Sequence, residues 1–449
     1  MNLEVLDKSY DIRGIFPSEI NEEFYYKLGF AFAVLQKGAM TFAVGCDSRL
    51  SSDTLKKSMI EGIIDAGKNV VDLGLCSTDM VYFASGEYEK IDIGMMITAS
   101  HNPKEYNGLK SCLKNAVPIN MMTFGKDIKN FILKGDFKIF DSKGLYENKD
   151  ISDDFVDHIS TFVDSNSNFE NYKVVADAGN GVAGVFMNKL SSKLKFDLIP
   201  LFFEPDGNFP NHHPSPIEPK NVIDLINKVQ EEKADLGVAF DGDADRMYIC
   251  DNEGMVWSGT ITTAMIAKMM LAKNSGKKIL YNAVCGNIVS DIINENNGIG
   301  LIEKVGHVYM KETMANDENI IFGGEHSGHY YFRNNWNADS GVIAFAVILE
   351  LISKSGKQSS ELRKEFEKYH SIDETNSKVI SASDKLEQLK EIYKDGKQDE
   401  FDGLTVRFDN WWLNVRPSSN EPLLRLNVEA NTEELLKEKS KEVLNFIRN

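Results

Sequence analysis

Ser100 lies in Thr98-Ala99-Ser100-His101-Asn102-Pro103, directly after the apolar run Ile91-Asp92-Ile93-Gly94-Met95-Met96-Ile97. A hydroxyl at the mouth of a buried strand can act as a nucleophile or carry a phosphoryl group, although Ser or Thr ahead of an Asn-Pro turn is ordinarily only a cap. Asp241, Asp243 and Asp245 likewise follow an apolar strand, Asp235-Leu236-Gly237-Val238-Ala239-Phe240, at alternate positions. A curled loop with that spacing aims three hard carboxylate oxygens at one point, a donor set suited to Mg²⁺ or another oxygen-seeking divalent cation. It is not an EF-hand loop, because Arg246 stands where Gly is needed and Asn252 where Glu is needed. The plain alternative is an acidic surface turn, yet carboxylates so close repel one another without a cation. If Ser100 carries phosphate, one phosphate oxygen completes the metal shell and the cation neutralises the group as it transfers.

Three further segments are polar islands between apolar elements. Gly324-Glu325-His326-Ser327-Gly328-His329 sits between a strand at residues 319–322 and the aromatic residues 330–332, and reads at its plainest as a glycine hairpin. Arg416-Pro417-Ser418-Ser419-Asn420-Glu421-Pro422 gathers guanidinium, hydroxyl and amide donors. Gly179-Asn180-Gly181-Val182-Ala183-Gly184 fits GxGxxG, follows a strand, opens a helix and has Glu204 downstream. Alone it would indicate an NAD-dependent oxidoreductase, but the other loops have no place in hydride transfer. His212 and His213 lie in a Pro-rich loop, and adjacent residues rarely converge on one ion.

The elements that must position these loops alternate, strand then helix, through the first ~360 residues, the pattern of α/β units. Residues 41–45 and 69–73 read as strands flanking a helix at 52–66; further helices fall at 261–273 and 343–353. The polar residues 141–150 read as a linker or exposed loop. The C-terminal section reads as β-rich and then helical at 432–448. The expected domains are residues 1–148, 149–250, 251–368 and 369–449.

The 449 residues carry a formal charge of −18, which argues against nucleic-acid and anionic-membrane partners and requires local Arg and Lys wherever an anionic ligand binds. Five cysteines without a CxxC pair give neither a disulfide framework nor a zinc knuckle. With an acidic N-terminus and no apolar stretch of about 18 residues, a soluble cytoplasmic protein is expected.

Together the four loops resemble the signature loops of the α-D-phosphohexomutases, in particular the bacterial phosphomannomutase/phosphoglucomutases. The resemblance implies three similar α/β domains with mixed sheets followed by a smaller α+β C-terminal domain, around a central cleft. It implies a phosphorylated Ser100, Mg²⁺ held by Ser100, Asp241, Asp243 and Asp245, and reversible phosphoryl transfer between the 1- and 6-positions of a hexose. Lys110 matches the general acid/base, a role that expects its pKa to be lowered by nearby positive charge. Tyr10 and Arg13, in Tyr10-Asp11-Ile12-Arg13-Gly14, approach the site; Arg13 is expected to orient Ser100 or its phosphate bidentately, and Arg246 has a similar role. His101 is expected to shape the loop rather than pair with Ser100, because neighbouring side chains of extended backbone point apart.

Glu325 and Ser327 match the residues that hold sugar hydroxyls, the carboxylate accepting from two vicinal ones. Lys304, His307 and His329 match phosphate- or proton-handling positions, and Arg416, Ser418, Ser419, Asn420 and Arg425 the cradle for the non-reacting phosphate. Thr260, Asn282, Ser419 and Asn420 depart from the common family pattern. Mannose and glucose differ at C2 alone among the relevant hydroxyls, so both are expected as substrates. A hexose 1,6-bisphosphate of glucose or mannose is the expected activator, and a monomer the expected state. Phosphoglucosamine mutase is the runner-up, although it usually has Gln where residue 326 is His; a sugar-phosphate sensor is the reading that lacks catalysis.

Overall fold

The computed structural model describes residues 2–417 and 423–449. Four sheets follow one another along the chain. The first has the order Ile12–Ile15, Tyr106–Leu113, Ile93–Ile97, Thr41–Cys46, Asn69–Leu75, Tyr146–Asn148, with Val117–Pro118 paired to Tyr106–Leu113. The second runs Met247–Asp251, Leu236–Phe240, Lys173–Asp177, Asp197–Leu201, and the third Ile299–Glu303, Lys278–Asn282, Ile320–Gly324, Tyr330–Phe332. Helices separate the parallel strands, as the long crossover between parallel neighbours requires. The fourth sheet, of six antiparallel strands, is followed by the helix Glu433–Arg448.

The first three sheets repeat one device. Ile93–Ile97 pairs parallel with Thr41–Cys46 and antiparallel with Tyr106–Leu113; Leu236–Phe240 pairs parallel with Lys173–Asp177 and antiparallel with Met247–Asp251. Ile320–Gly324 does the same between Lys278–Asn282 and Tyr330–Phe332. All three central strands are buried throughout, so they read as unbroken apolar runs rather than alternating ones. Each turn that reverses the chain after such a strand is one of the polar loops, and all three sit at the carboxyl ends of the parallel strands, where open α/β sheets place their sites.

One apolar cluster, including Phe83, Phe155, Phe186, Phe240, Trp257 and Phe345, runs through the first three sheets and their helices. A second fills the first unit, and the fourth unit has a cluster of its own around Leu413, Val415, Leu426 and Val443. No helix among the described residues is long and apolar enough to cross a membrane.

Two expectations change. Residues 141–150 are not simply a linker: Tyr146–Asn148 adds a parallel edge strand beside Asn69–Leu75, held by backbone pairing that needs no apolar pattern, since all three residues are exposed. The section before the last helix is not purely β, because Ala382–Ile392 is a helix capped by Ser381.

Helices Glu22–Leu35 and Ser52–Asp65 approach until their backbones touch. A Cβ at Gly62 would lie 2.1 Å from the Tyr26 carbonyl oxygen, and one at Gly29 2.3 Å from that of Met59. Gly62→Ala is therefore expected to lower stability by roughly 1–3 kcal/mol through overpacking, read as a lower midpoint in thermal unfolding; an unchanged midpoint would show that the helix pair can separate freely.

Candidate active site

Ser100 is fully buried with φ +51°, the left-handed region, and its backbone N–H is held by Thr98 Oγ1 at 2.8 Å. Its hydroxyl donates to Asp241 Oδ2 at 2.7 Å and lies 3.2 Å from His101 Nδ1. The expectation that Ser100 and His101 point apart assumed extended backbone; the left-handed turn at Ser100 brings the two side chains together instead. His101 is held well below its ordinary pKa by Arg246 and by burial, so its imidazole is neutral.

Asp241, Asp243 and Asp245 place one oxygen each within 4.8 Å of one another, all fully buried. Ala244, between the last two, also has positive φ, +61°, which curls the loop inward. Thr78 Oγ1 donates to Asp243 Oδ2 at 2.6 Å, and the Lys110 ammonium bonds Asp243 Oδ2 at 2.8 Å and Asp245 Oδ2. Arg246 contributes its backbone N–H to Asp241 Oδ1 at 3.2 Å and its guanidinium at 3.6 Å from Asp241 Oδ2. Asp243 Oδ1 and Asp245 Oδ1 are buried without a hydrogen-bond partner among the described residues, and carboxylate oxygens so placed fit a hard divalent cation.

Burial and the neighbouring Asp243 and Asp245 push the Asp241 pKa well up. Burial alone would pull Lys110 down, but Asp243 and Asp245 outweigh it and hold the lysine above its ordinary value. The expected depression of Lys110 is thus overturned: its nearest partners are anions, not cations. Lys110 reaches them because the return strand sets it opposite Met96, beside the serine loop.

Arg13 does not clasp Ser100 in two bonds. It donates to the Thr98 carbonyl at 2.6 Å and lies 3.5 Å from Asp11 Oδ2, holding the loop two residues upstream. Asp11 in turn is 3.2 Å from His307 Nε2, and the Tyr10 ring meets His307 edge-on with centroids 4.9 Å apart.

Arg49 has no counterpart in the sequence reading. Fully buried, it donates to the carbonyls of Ser100 (2.8 Å), Asn102 (2.7 Å), Pro103 (2.7 Å) and Tyr106 (3.0 Å), and to Asp47 Oδ2 at 3.1 Å. Asp47-Ser48-Arg49 directly after a buried strand was the signal. From the other side Gly242 presses on the same loop, since a Cβ there would lie 2.7 Å from the Ser100 carbonyl oxygen.

The third loop joins the second through a bridge between Arg246 and His329. His329 Nδ1 is 2.7 Å from Asp339 Oδ2 and 3.9 Å from Asp245 Oδ1, and Lys311 pairs with Asp339 at 2.7 Å. Glu325 is buried and accepts from Tyr331, from Asn282 Nδ2 at 3.1 Å and from the Gly306 N–H at 3.2 Å. A carboxylate offers about four lone-pair sites, and these three internal donors occupy most of them. Asn282 also donates to His326 Nδ1 at 3.0 Å, which gives this departure from the family pattern a place in holding the loop. Burial above all lowers the His326 pKa to about 4. Ser327 is half-buried on the same turn; Lys304 is exposed, its ammonium 5.5 Å from the Phe401 ring centroid. Thr260 accepts from the Gly286 N–H at 3.3 Å.

In the fourth sheet Arg416 and Arg425 are cross-strand partners, and both bond Glu374, at 2.7 and 3.3 Å. Ser418, Ser419 and Asn420 lie outside the described residues. The GxGxxG turn packs on the aspartate loop: Val182 N–H donates to the Gly242 carbonyl at 3.3 Å, and a Cβ at Gly181 would lie 2.7 Å from that oxygen. Glu204 meets it through its backbone carbonyl, which accepts from Asn180, while His212 pairs with Asp177 at 3.0 Å.

Comparison with known proteins agrees with this arrangement. Family models described as phosphoglucomutase/phosphomannomutase alpha/beta/alpha domains I, II and III match residues 5–144, 153–254 and 258–369, and the C-terminal domain model matches 374–445. A phosphomannomutase of Methanocaldococcus jannaschii is 36% identical over 441 residues, 98% of this chain and 97% of that one. One of Vibrio cholerae is 35% identical over 456 residues, 98% of each chain. A solved phosphoglucomutase/phosphomannomutase family protein of Burkholderia thailandensis superimposes with a TM-score of 0.89 at 29% identity, covering 99% of this chain and 98% of that one. The chain belongs to the phosphoglucomutase/phosphomannomutase family. It is an enzyme, a phosphohexomutase, and hence an isomerase.

Beneath the site, Asp79 is buried between Ser77 and Ser340, which donates at 2.7 Å, so it ties the first unit to the third. Burial, with Asp245 and Asp339 nearby, raises its pKa to about 7. The folded chain therefore holds this proton more tightly than the unfolded chain, and stability is lost as pH rises from about 4 to about 7. Asp79→Asn, which cannot ionise, is expected to gain on the wild type across that window, by on the order of a few kcal/mol at about pH 8. Thermal unfolding at several pH values measures the gap; a gap independent of pH would contradict the assignment.

Proposed function

We propose that this enzyme interconverts the 1- and 6-phosphates of mannose and glucose through phospho-Ser100 and a hexose 1,6-bisphosphate. The observation that carries the proposal is the Ser100–Asp241 hydrogen bond, which sets a hydroxyl held in a fixed turn against three convergent carboxylates. Asp241, Asp243 and Asp245, with an oxygen of the phosphorylated serine, would hold Mg²⁺, which when bound supplies the positive charge that offsets the transferring phosphoryl group. Arg49, Arg13 and Gly242 hold the serine loop in place. Lys110 enters as an ammonium, competent as the acid of the proposed acid/base role, and neutral His101 shapes the phosphate pocket. Tyr10, Lys304, His307 and His329 are assigned to phosphate and proton handling beside Arg246.

Glu325 and Ser327 orient the sugar by a hydroxyl common to both hexoses, leaving C2 loosely read. Arg416 and Arg425, with Ser418, Ser419 and Asn420, take the phosphate that is not reacting. The bisphosphate must turn end for end, so each phosphate visits both places in turn, and free bisphosphate of glucose or mannose would restore a dephosphorylated enzyme. The same reading divides the chain after residues 148, 250 and 368, although the strand Met247–Asp251 carries the second sheet one residue past the second boundary. A monomer acting on a hexose phosphate completes the proposal.

The test is a ³¹P NMR time course with Mg²⁺ and a trace of glucose 1,6-bisphosphate, supplying mannose 1-phosphate, glucose 1-phosphate and glucosamine 1-phosphate separately. Conversion of the first two to 6-phosphates is expected; turnover of glucosamine phosphate alone would move the enzyme to the runner-up activity. Ser100→Ala is expected to abolish turnover, and chelation of divalent cations to reduce it at least a hundredfold (~3 kcal/mol of lost transition-state stabilisation), with recovery on adding Mg²⁺. Normal turnover by Ser100→Ala would sink the phosphoserine mechanism.

A further inference from the structure

Glu374 lies between His370–Ser371 and Thr375–Lys378, two short strands that both pair with Leu423–Ala430. Its carboxylate accepts from Arg416 Nη2 at 2.7 Å, Arg425 Nη1 at 3.3 Å and Asn427 Nδ2 at 3.2 Å, and it lies 3.7 Å from His326 Nε2 on the third loop. Arg416 and Arg425 are directly opposite on adjacent antiparallel strands, so their guanidinium groups share one face. Like charges in that register repel, and here one is largely and the other partly withdrawn from water: the Arg416 side chain is 11% exposed and that of Arg425 36%. Such a pair requires an anion.

A carboxylate and a phosphate monoester present guanidinium with the same kind of oxygen pair. On the reading that Arg416 and Arg425 hold the non-reacting phosphate, Glu374 occupies the donors that phosphate needs. We infer that Glu374 is the exchange partner of the substrate phosphate, filling the arginine pair whenever the phosphate leaves it and yielding the pair when a phosphate returns. It acts through the arginines and is a positioning residue rather than a catalytic one.

The exchange has a use in a reaction whose intermediate must let go and turn. Without a resident anion, releasing the phosphate would leave two adjacent cations uncompensated, and the bisphosphate would be held too tightly to reorient. With Glu374 beside them, one of the two positive charges is balanced when the phosphate is away, and the net grip on either phosphate is weakened. The contact with His326 also couples the arginine pair to the sugar loop, so the two loops that must release the intermediate share one carboxylate.

The experiment is calorimetric titration of inorganic phosphate into the full chain in EDTA, comparing wild type, Glu374→Gln, Glu374→Asp and Arg416→Ala, followed by steady-state kinetics with mannose 1-phosphate. Glu374→Gln is expected to bind phosphate roughly tenfold tighter, because a competing charged acceptor has been removed. Glu374→Asp, with its charge set back by one methylene, is expected to fall between, and it carries the test if the Gln variant does not fold. In kinetics KM and kcat are expected to fall together, as a retained intermediate requires. A purely structural brace would move the other way, since losing it would loosen the arginines: unchanged or weaker phosphate binding in both Glu374 variants, with Arg416→Ala weakened, would overturn the exchange while leaving the phosphate site intact. Arg416→Ala binding phosphate as wild type does would overturn the site itself, and the exchange with it.

Discussion

Three aspartates whose oxygens lie within 4.8 Å of one another in the protein interior demand positive charge beside them. At an effective dielectric constant of about 20, two charges 4 Å apart interact by about 4 kcal/mol, so the cluster costs more than most single contacts return. The chain as a whole carries −18, yet Lys110 from a strand of the first sheet and Arg246 at the end of the aspartate loop meet these carboxylates, and Arg13 lies close behind the serine loop. The local field is thus opposite in sense to the global one. A phosphorylated serine beside Asp241 would be intolerable without this concentration of cations, which is why the serine loop and the aspartate loop cannot be understood separately.

Their meeting is made possible by strand geometry repeated in each of the first three sheets. A fully buried strand ends, the chain turns, and an antiparallel partner returns at once, so polar residues emerge at the same height from three separate units. Two of the turns contain a non-glycine residue in the left-handed region, Ser100 and Ala244. Such residues each cost of order 1–3 kcal/mol, and they persist only when their surroundings hold them. Arg49 on one side of the serine loop and Gly242 on the other show how that is done: a guanidinium gathers four carbonyls between Ser100 and Tyr106 while a residue without Cβ lets the facing loop come into contact.

Much of this is legible in the sequence, and what is not shares one cause. The order of strands and helices, the α+β end of the chain and the loops that follow the three buried strands come from apolar runs and from motifs whose chemistry is local. What failed depended on backbone conformation or on partners distant in sequence. His101 was placed away from Ser100 because extended backbone was assumed, and the sign of the Lys110 shift was wrong because its carboxylate partners lie more than 130 residues further along the chain. Arg49 and Glu374 stand in segments without a motif, and a single charged residue carries no mark of whether it will be buried. Tyr146–Asn148 escaped notice because an exposed edge strand needs only hydrogen bonds.

The division of the apolar interior has a consequence for how the molecule comes apart. The first three units share a cluster in which Phe83 of one meets Phe155 of the next and Phe162 meets Phe332 of the third, so opening any one of them exposes the others. The C-terminal unit closes around its own aromatic and aliphatic set, with Trp411 stacked on Phe408. Four sheets therefore make two cooperative bodies, not four. The smaller meets the larger through polar contacts instead, among them Asn287 N–H to Glu429 at 3.0 Å and Val305 N–H to Asp402 at 2.9 Å, so it breathes at the cost of hydrogen bonds and not of shared apolar burial.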